Sequence, residues 1–366
     1  MKVQERNQIS ITQFIFIIHS CQVGTGIFSL PRTLAEKAGT DGWISLLLGW
    51  CINLTVCVLI VKMFEKYPDD TILDLFIRLF GKVVGKILTI PIICYFAFFG
   101  WTILSITMLF IKQWFLQMTP DYVLMILLVV PGFFIIGKGL YILGRYSELV
   151  FYMTIWMYLL LIIPLKDSHW VHLLPLIKEG WMPIFNGVGS AIFSFLGFEI
   201  VLVLYPFLKT KQLAVRGVVI ANTITFILYL GVTLICYAYF SPDGITDYNE
   251  PLFNLLKMIE LHFLERFDMV FLALYLFVIS TAWLPYLYGA VYSTSHLLGT
   301  KKKAPFDSIL LISIVIITAF LHPSWNQTGQ WIEFISKTGI GVAYVFPVFL
   351  FLYVSIYSRF QRSGSQ

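Results

Sequence analysis

Two short segments hold most of the residues in this chain that could do chemistry. One reads Val23-Gly24-Thr25-Gly26-Ile27-Phe28-Ser29-Leu30-Pro31; the other reads Ser194-Phe195-Leu196-Gly197-Phe198-Glu199. Both lie inside long apolar stretches. Glycine weakens a helix interior and packs no side chain, so its recurrence at these two places predicts local unwinding. Unwinding at the first segment frees the amides of Gly26, Ile27 and Phe28, and it exposes the positive end of a half-helix dipole. That combination suits a carboxylate, and Thr25 or Ser29 adds a hydroxyl. The same glycines equally fit close packing between helices. Glu199 falls about 14 residues into its span, or about 21 Å along it at 1.5 Å per residue. A carboxylate at that depth is expensive and by default functional. It would meet a substrate amine, carry a proton or pair with a nearby donor. A structural carboxylate near the inner interface, bonded to backbone or paired with Lys209 or Arg216, fits the residue too.

Aromatic and hydroxyl side chains from two other spans are placed to complete a pocket. One span offers Tyr95, Phe98, Phe99 and Trp101, and the other Tyr275, Ser280, Thr281, Trp283, Tyr286 and Tyr288. The candidate ligand-binding set is Gly24, Thr25, Gly26, Ile27, Phe28, Tyr95, Phe98, Phe195, Leu196, Gly197, Phe198, Glu199, Ser280 and Thr281. His19 reads as a hydrogen-bonding residue within the bundle. His296 sits near an inner helix end, and Arg145 and Glu148 read as an interfacial ion pair. No His/Cys cluster has metal-ligand spacing, and there is no phosphate-binding loop, dinucleotide fingerprint or Ser/His/Asp arrangement in plausible context. The expectation is a non-enzyme without metal or cofactor.

The elements that must carry these residues follow from composition. The 366 residues are 58% hydrophobic and 12% charged, with mean hydropathy +0.84. A soluble domain carries about 25% charged residues, so the chain reads as an all-α integral membrane protein. A span needs about 20 apolar residues. By that measure there are ten, at 10–34, 41–63, 88–115, 121–141, 145–164, 185–208, 216–240, 268–298, 306–322 and 338–358. Pro31 is placed near the end of the first broken span and Pro206 at the end of the other. The five cysteines fall inside apolar spans and read as buried hydrophobes. No cleavable leader is evident at the start of the chain.

The basic residues crowd into alternate short loops: Lys2 and Arg6; Lys62, Lys66, Arg78, Lys82 and Lys86; Lys138 and Arg145; Lys209, Lys211 and Arg216; Lys301, Lys302 and Lys303; Arg359 and Arg362. This bias places both termini in the cytoplasm. It also accounts for the net charge of +5 without invoking nucleic acid. Two connectors read as helices. Residues 71–82 align Ile72, Leu75, Phe76, Leu79 and Phe80 for the inner interface. Residues 251–264, opened by Pro251, repeat Leu252, Leu255, Leu256 and Ile259 in an acidic outer segment that either caps the site or simply covers the surface. Five is odd, so a second set of five spans enters the membrane inverted. Ten spans thus fit a 5+5 inverted repeat within one transmembrane domain over 1–366, with repeats at about 10–164 and 185–358 and the two glycine breaks in the leading helix of each.

The first segment, Gly24-Thr25-Gly26-Ile27-Phe28 with Leu30-Pro31, resembles the first-helix motif of the amino acid–polyamine–organocation transporter superfamily. Ile9-Ser10-Ile11-Thr12-Gln13-Phe14 before it, Ala38-Gly39-Thr40-Asp41-Gly42-Trp43 after it and the loop from Tyr67-Pro68 to Lys86 narrow the resemblance to the B subunit of spore germinant receptors. It extends over essentially the whole chain. It implies a multi-pass subunit of the inner spore membrane that senses a small nutrient, commonly an amino acid, beside an A subunit and a lipoprotein C subunit. By position it implies that Gly24, Thr25 and Gly26 form the unwound helix-1 site, Tyr95 lines helix 3, and Leu196 to Glu199 supply the helix-6 side. The alternative is a proton- or sodium-coupled amino-acid transporter using the same pocket. A third reading is a ligand-blind scaffold or an ion and water conduit.

Overall fold

The computed structural model describes residues 7–259, 266–299 and 304–363. Lys2, Arg6, Lys301, Lys302, Lys303 and the end of the expected 251–264 helix lie outside these residues, as do the side chains of Arg359 and Arg362. Among the described residues all regular elements are helical. α1 (Ile11–Gln22) starts on a capping box, with Ser10 Oγ accepting from the Gln13 amide and Gln13 Oε1 from that of Ser10. A 3-10 turn (Thr25–Phe28) separates it from α2 (Leu30–Ala38). Pro31 opens α2 instead of ending a half-helix, a correction with a simple cause. In the first turn proline's missing N–H costs nothing and its fixed φ already suits a helix.

α3 (Gly42–Phe64) and α4 (Ile72–Trp114) follow, the latter kinked at Gly81 (φ 81°, ψ 169°). The stretch before the kink is the expected short amphipathic helix, capped by Thr71 and Asp74. It buries Ile72, Leu75 and Phe76 against the bundle and stacks Phe80 on Tyr353. α5 (Asp121–Gly137) and α6 (Leu140–Leu159) complete the first half. α7 (Trp181–Ser194) is followed by a short helical run from Phe198 to Phe207 that contains α8 (Val201–Leu204); the two axes differ by 46°. Pro206 lies in the turn that closes this run. The second half continues with α9 (Ala214–Phe240), α10 (Pro251–Lys257), α11 (Phe267–Leu297), α12 (Ala304–Leu321), α13 (Trp325–Gly339) and α14 (Phe346–Ser363).

Among the described residues, six helical stretches are long and apolar enough to cross a membrane, seven if the bent α7–α8 pair is one span. Shorter apolar helices lie at Ile11–Gln22, Asp121–Gly137 and Phe306–Leu321. α13 begins well before the expected 338, on a Ser324/Gln327 capping box; its polar residues hid it from a hydropathy reading. Between α13 and α14 a π turn (Ile340–Val345) faces the second break. Large apolar side chains such as Val83, Leu127, Phe134, Ile227, Phe320 and Phe349 point outward, while Gln22, Asn53, Glu199, Asn222 and Thr225 are buried. That inside-out distribution suits lipid as the surrounding solvent. Arg145 and Glu148 form no ion pair within 4 Å among the described residues; the Arg145 guanidinium lies 5.4 Å over the Tyr141 ring instead.

Candidate ligand site at the two helix breaks

Every break in a buried helix leaves carbonyls and amides without their i–4 partners, and in a membrane these must be satisfied from within the protein. Side chains from other helices meet this need here. The Tyr275 hydroxyl of α11 donates to the Gly24 carbonyl at 2.8 Å, and Tyr229 of α9 donates to the Gln22 carbonyl at 2.7 Å, with the Ser194 carbonyl 3.2 Å away. Gln22 Nε2 donates to the Phe195 carbonyl at 3.0 Å. The Tyr344 hydroxyl, in the π turn, reaches the Ile192 carbonyl at 2.9 Å. Carbonyls at the ends of α1 and α7 therefore have named partners.

The amides fare differently at the two breaks. The 3-10 turn bonds residue i to i+3, so from Ile27 onward it closes on itself; the Ser29 amide donates to the Gly26 carbonyl at 3.3 Å. Only its first amides, those of Thr25 and Gly26, have no partner within the turn. This is narrower than the expected run from Gly26 to Phe28. Ile27 and Phe28 are fully buried, Phe28 against Tyr275 and Phe110. Ser29 Oγ turns back to the Gly26 carbonyl at 3.4 Å. At the second break the Gly197 amide donates to Glu199 Oε2 at 2.7 Å. Glu199 Oε1 accepts from Tyr95 at 2.7 Å and from Tyr286 at 2.6 Å. Glu199 is wholly buried, and its partners are two hydroxyls and its own loop's amide, not Lys209 or Arg216.

A cavity of about 100 Å³ lies between the breaks. It is lined by Cys21, Gln22, Gly24, Thr25 and Gly26 on one side and by Phe193, Ser194 and Leu196 on the other. Phe99, Thr102, Ile103 and Ile106 of α4, Tyr229 of α9 and Ile332 and Ile335 of α13 close it. Gly26 is exposed there, and a Cβ added to it would meet nothing within 4 Å. The volume is several times the space one water needs. It is polar where Thr25 and the turn face it and apolar along α4 and α13. α10 packs on the 3-10 turn and on α2, burying Leu252, Leu255 and Leu256, so the first break is covered from that end of the bundle.

Of the sequence-derived set, Gly24, Thr25, Gly26 and Leu196 come together around this cavity. Tyr95, Gly197 and Glu199 form the adjoining hydrogen-bonded cluster, and Phe198 packs on Tyr344 beside it. Phe195 is buried against Tyr229 and contributes its carbonyl. Phe98 faces α13, in contact with Trp331 and Phe334. Ser280 bonds Tyr146 at 2.6 Å, on the side toward α6, and the Thr281 hydroxyl is spent on the Val278 carbonyl. Ser194 lies in the second glycine segment but outside the candidate set, and Gln22, Thr102, Tyr229, Ile332 and Ile335 are not apparent from the sequence. For Gln22, adjacency to Gly24 was an available signal; for the rest, no spacing within their own spans marks them out.

A family model described as "Spore germination protein" matches residues 8–328. The spore germination protein YndE of Bacillus subtilis (strain 168) is 24% identical over 98% of this chain and 99% of its own length. The spore germination protein GerQB of Bacillus cereus is 25% identical over 94% and 95%. Among solved structures, MhsT in complex with L-phenylalanine superposes with a TM-score of 0.67 at 11% identity, over 94% of this chain and 88% of that one. An outward-open Na+-coupled sialic acid symporter gives 0.65 at 11% identity, over 92% and 78%. At such identities the likeness shows a shared fold alone.

Proposed function

The chain belongs to the spore germination protein family, and from that premise we propose that it is the nutrient-sensing B-type membrane subunit of a germinant receptor. Its ligand, an amino acid by preference, binds where helices 1 and 6 are interrupted, with the Thr25 and Gly26 amides and the Thr25 hydroxyl facing the carboxylate. The observation that carries this reading is the cavity between the breaks, into which Gly24, Thr25 and Gly26 all open. Ten spans in a 5+5 inverted repeat fit the order of elements: a broken helix, α1–α2, leads the first half and a second, α7–α8, leads the other. The Lys/Arg bias supports an inner-membrane location with both termini cytoplasmic. Signalling passes to an A subunit and a lipoprotein C subunit when ligand shifts the bundle between two arrangements that bind it unequally.

The test is made in spores carrying the full receptor. Gly24→Val or Gly26→Val fills the cavity and is expected to abolish the response to nutrient while the subunit remains in the membrane. Deleting the A or C partner is expected to silence signalling. A normal response in either valine variant, or full signalling from this chain alone, contradicts the proposal. The transporter fold favours one alternative, a proton- or sodium-coupled amino-acid transporter. Coupled uptake of a radiolabelled amino acid into reconstituted vesicles supports that alternative, and binding without uptake supports the sensor.

A further inference from the structure

Beside the cavity, a connected set of buried side chains from four parts of the bundle, with carbonyls from a fifth, meets at Gln22. Its Nε2 donates to the Phe195 carbonyl at 3.0 Å and to Asn222 Oδ1 at 2.7 Å, and its Oε1 accepts from Thr225 at 2.8 Å. Asn222 donates to the Val218 carbonyl at 2.7 Å and lies 3.3 Å from Cys57 Sγ, and its Oδ1 also accepts from Asn53. Asn53 Oδ1 meets the Tyr344 hydroxyl at 3.1 Å, the same hydroxyl that reaches the Ile192 carbonyl. His19 Nδ1 adds to the set, 2.8 Å from Thr225 Oγ1. The end of α1, α3, the end of α7, α9 and the π turn are thereby tied together.

Two features separate this set from ordinary buried polar packing. Gln22 lines the cavity, yet an amide has only two N–H donors and both are engaged, so it has none left for a ligand. The carbonyls it and Tyr344 hold belong to the last turn of α7 and the break after it, so the contacts exist only while that end lies against α1 and the π turn. A satisfied buried network of this kind is rigid as a whole and fails as a whole.

We propose that Gln22, Asn222 and Thr225 are positioning residues that hold the two breaks in the cavity-bearing arrangement without donating a hydrogen bond to ligand, and so set how much ligand the bundle needs to change state. The role rests on the sensing function proposed above, since a threshold has meaning only for a ligand-driven shift. Its test needs no ligand.

Cysteine is placed at Gly26, where space is open, in a chain whose surface cysteines Cys51 and Cys94 and cavity-lining Cys21 are replaced by alanine. The labelling rate with a water-soluble methanethiosulfonate reagent is measured in membranes. Asn222→Leu is expected to slow labelling several-fold and Thr225→Val to slow it less. Thr233→Val, on the same helix but removing a buried hydroxyl without a hydrogen-bond partner, leaves the rate unchanged. A purely structural role lowers the melting temperature without altering the labelling of folded protein. Unchanged labelling in Thr225→Val and in folded Asn222→Leu overturns the proposal, as does an equal change in Thr233→Val. If Asn222→Leu does not accumulate, Thr225→Val decides alone. A network that passes this test while no amino acid binds the protein leaves positioning intact and removes the sensing reading.

Discussion

The two breaks are built from the same residue type and yet do opposite things. Around Gly24 and Gly26 the backbone is loosely surrounded: a Cβ on Gly24 would find its nearest neighbour at 3.9 Å and one on Gly26 would find none within 4 Å. Gly197 is the reverse, with φ of +128° and the Cys21 backbone 2.5 Å from where a Cβ would sit. Its amide is occupied by Glu199, and Glu199 is held by tyrosines from α4 and α11. The first break therefore leaves the Thr25 and Gly26 amides without a partner in their own turn, and the second locks its own backbone against the first. Pairing in sequence does not mean equivalence in packing: Gly197 abuts neighbouring backbone, whereas Gly24 and Gly26 have room around them.

Substitution should separate the two breaks in order of severity. Gly197→Ala is expected to have the largest effect, because the left-handed φ and the Cys21 backbone both oppose a side chain. Loss of folded protein in detergent, by size-exclusion profile or melting curve, checks it, and Gly26→Ala in parallel should melt like the parent. Glu199→Gln comes next. One amide face would set an N–H against the Gly197 N–H or the two tyrosine hydroxyls, leaving a buried donor unsatisfied at about 1–3 kcal/mol. Tyr95→Phe and Tyr286→Phe each remove one hydrogen bond to the carboxylate and should cost less. Thermal melts of the three variants, read together, test whether Glu199 is a clamp. A Glu199→Gln protein as stable as the parent, with an altered ligand response, would return the carboxylate to the ligand.

Sequence made the breaks visible because glycine inside an apolar span is conspicuous whatever surrounds it. The side chains that satisfy those breaks were not visible in the same way. Asn222 and Tyr229 of α9, Tyr275 of α11 and Tyr344 of the π turn lie far from both breaks in sequence, and only the tertiary fold brings their hydroxyls and amides to the ends of α1 and α7. Pro31 is ambiguous in sequence because proline both stops and starts helices, and the residue alone does not say which. The start of α13 is hidden in sequence because Asn326, Gln327, Gln330 and Glu333 lower its apparent hydropathy. Arg145 and Glu148 have suitable helical spacing, but a nearby aromatic ring takes the guanidinium.

A smaller effect is expected far from both breaks, at the other end of α4. Burial pushes the Asp74 carboxyl up, but the hydrogen bond and charge of His296, 2.9 Å away, with further bonds from Thr71, outweigh it and bring it down to about 2. A depressed carboxyl stabilises the fold above its unfolded pKa, near 4, and that contribution is lost as pH falls toward 2. Asp74→Asn should therefore melt below the parent at pH 7, with the gap closing as pH falls through that window. No gap at pH 7 would mean that the short helix is held by its apolar face alone.

The claim that matters most is that ligand sits at the open break and not at the clamped one. Thermal stabilisation of the purified chain by each of the twenty common amino acids, for the parent and for Gly26→Val, tests it most directly. The account predicts that at least one amino acid raises the parent's melting temperature while none raises that of Gly26→Val, whose ligand-free melt matches the parent's. Equal stabilisation of both proteins would contradict it.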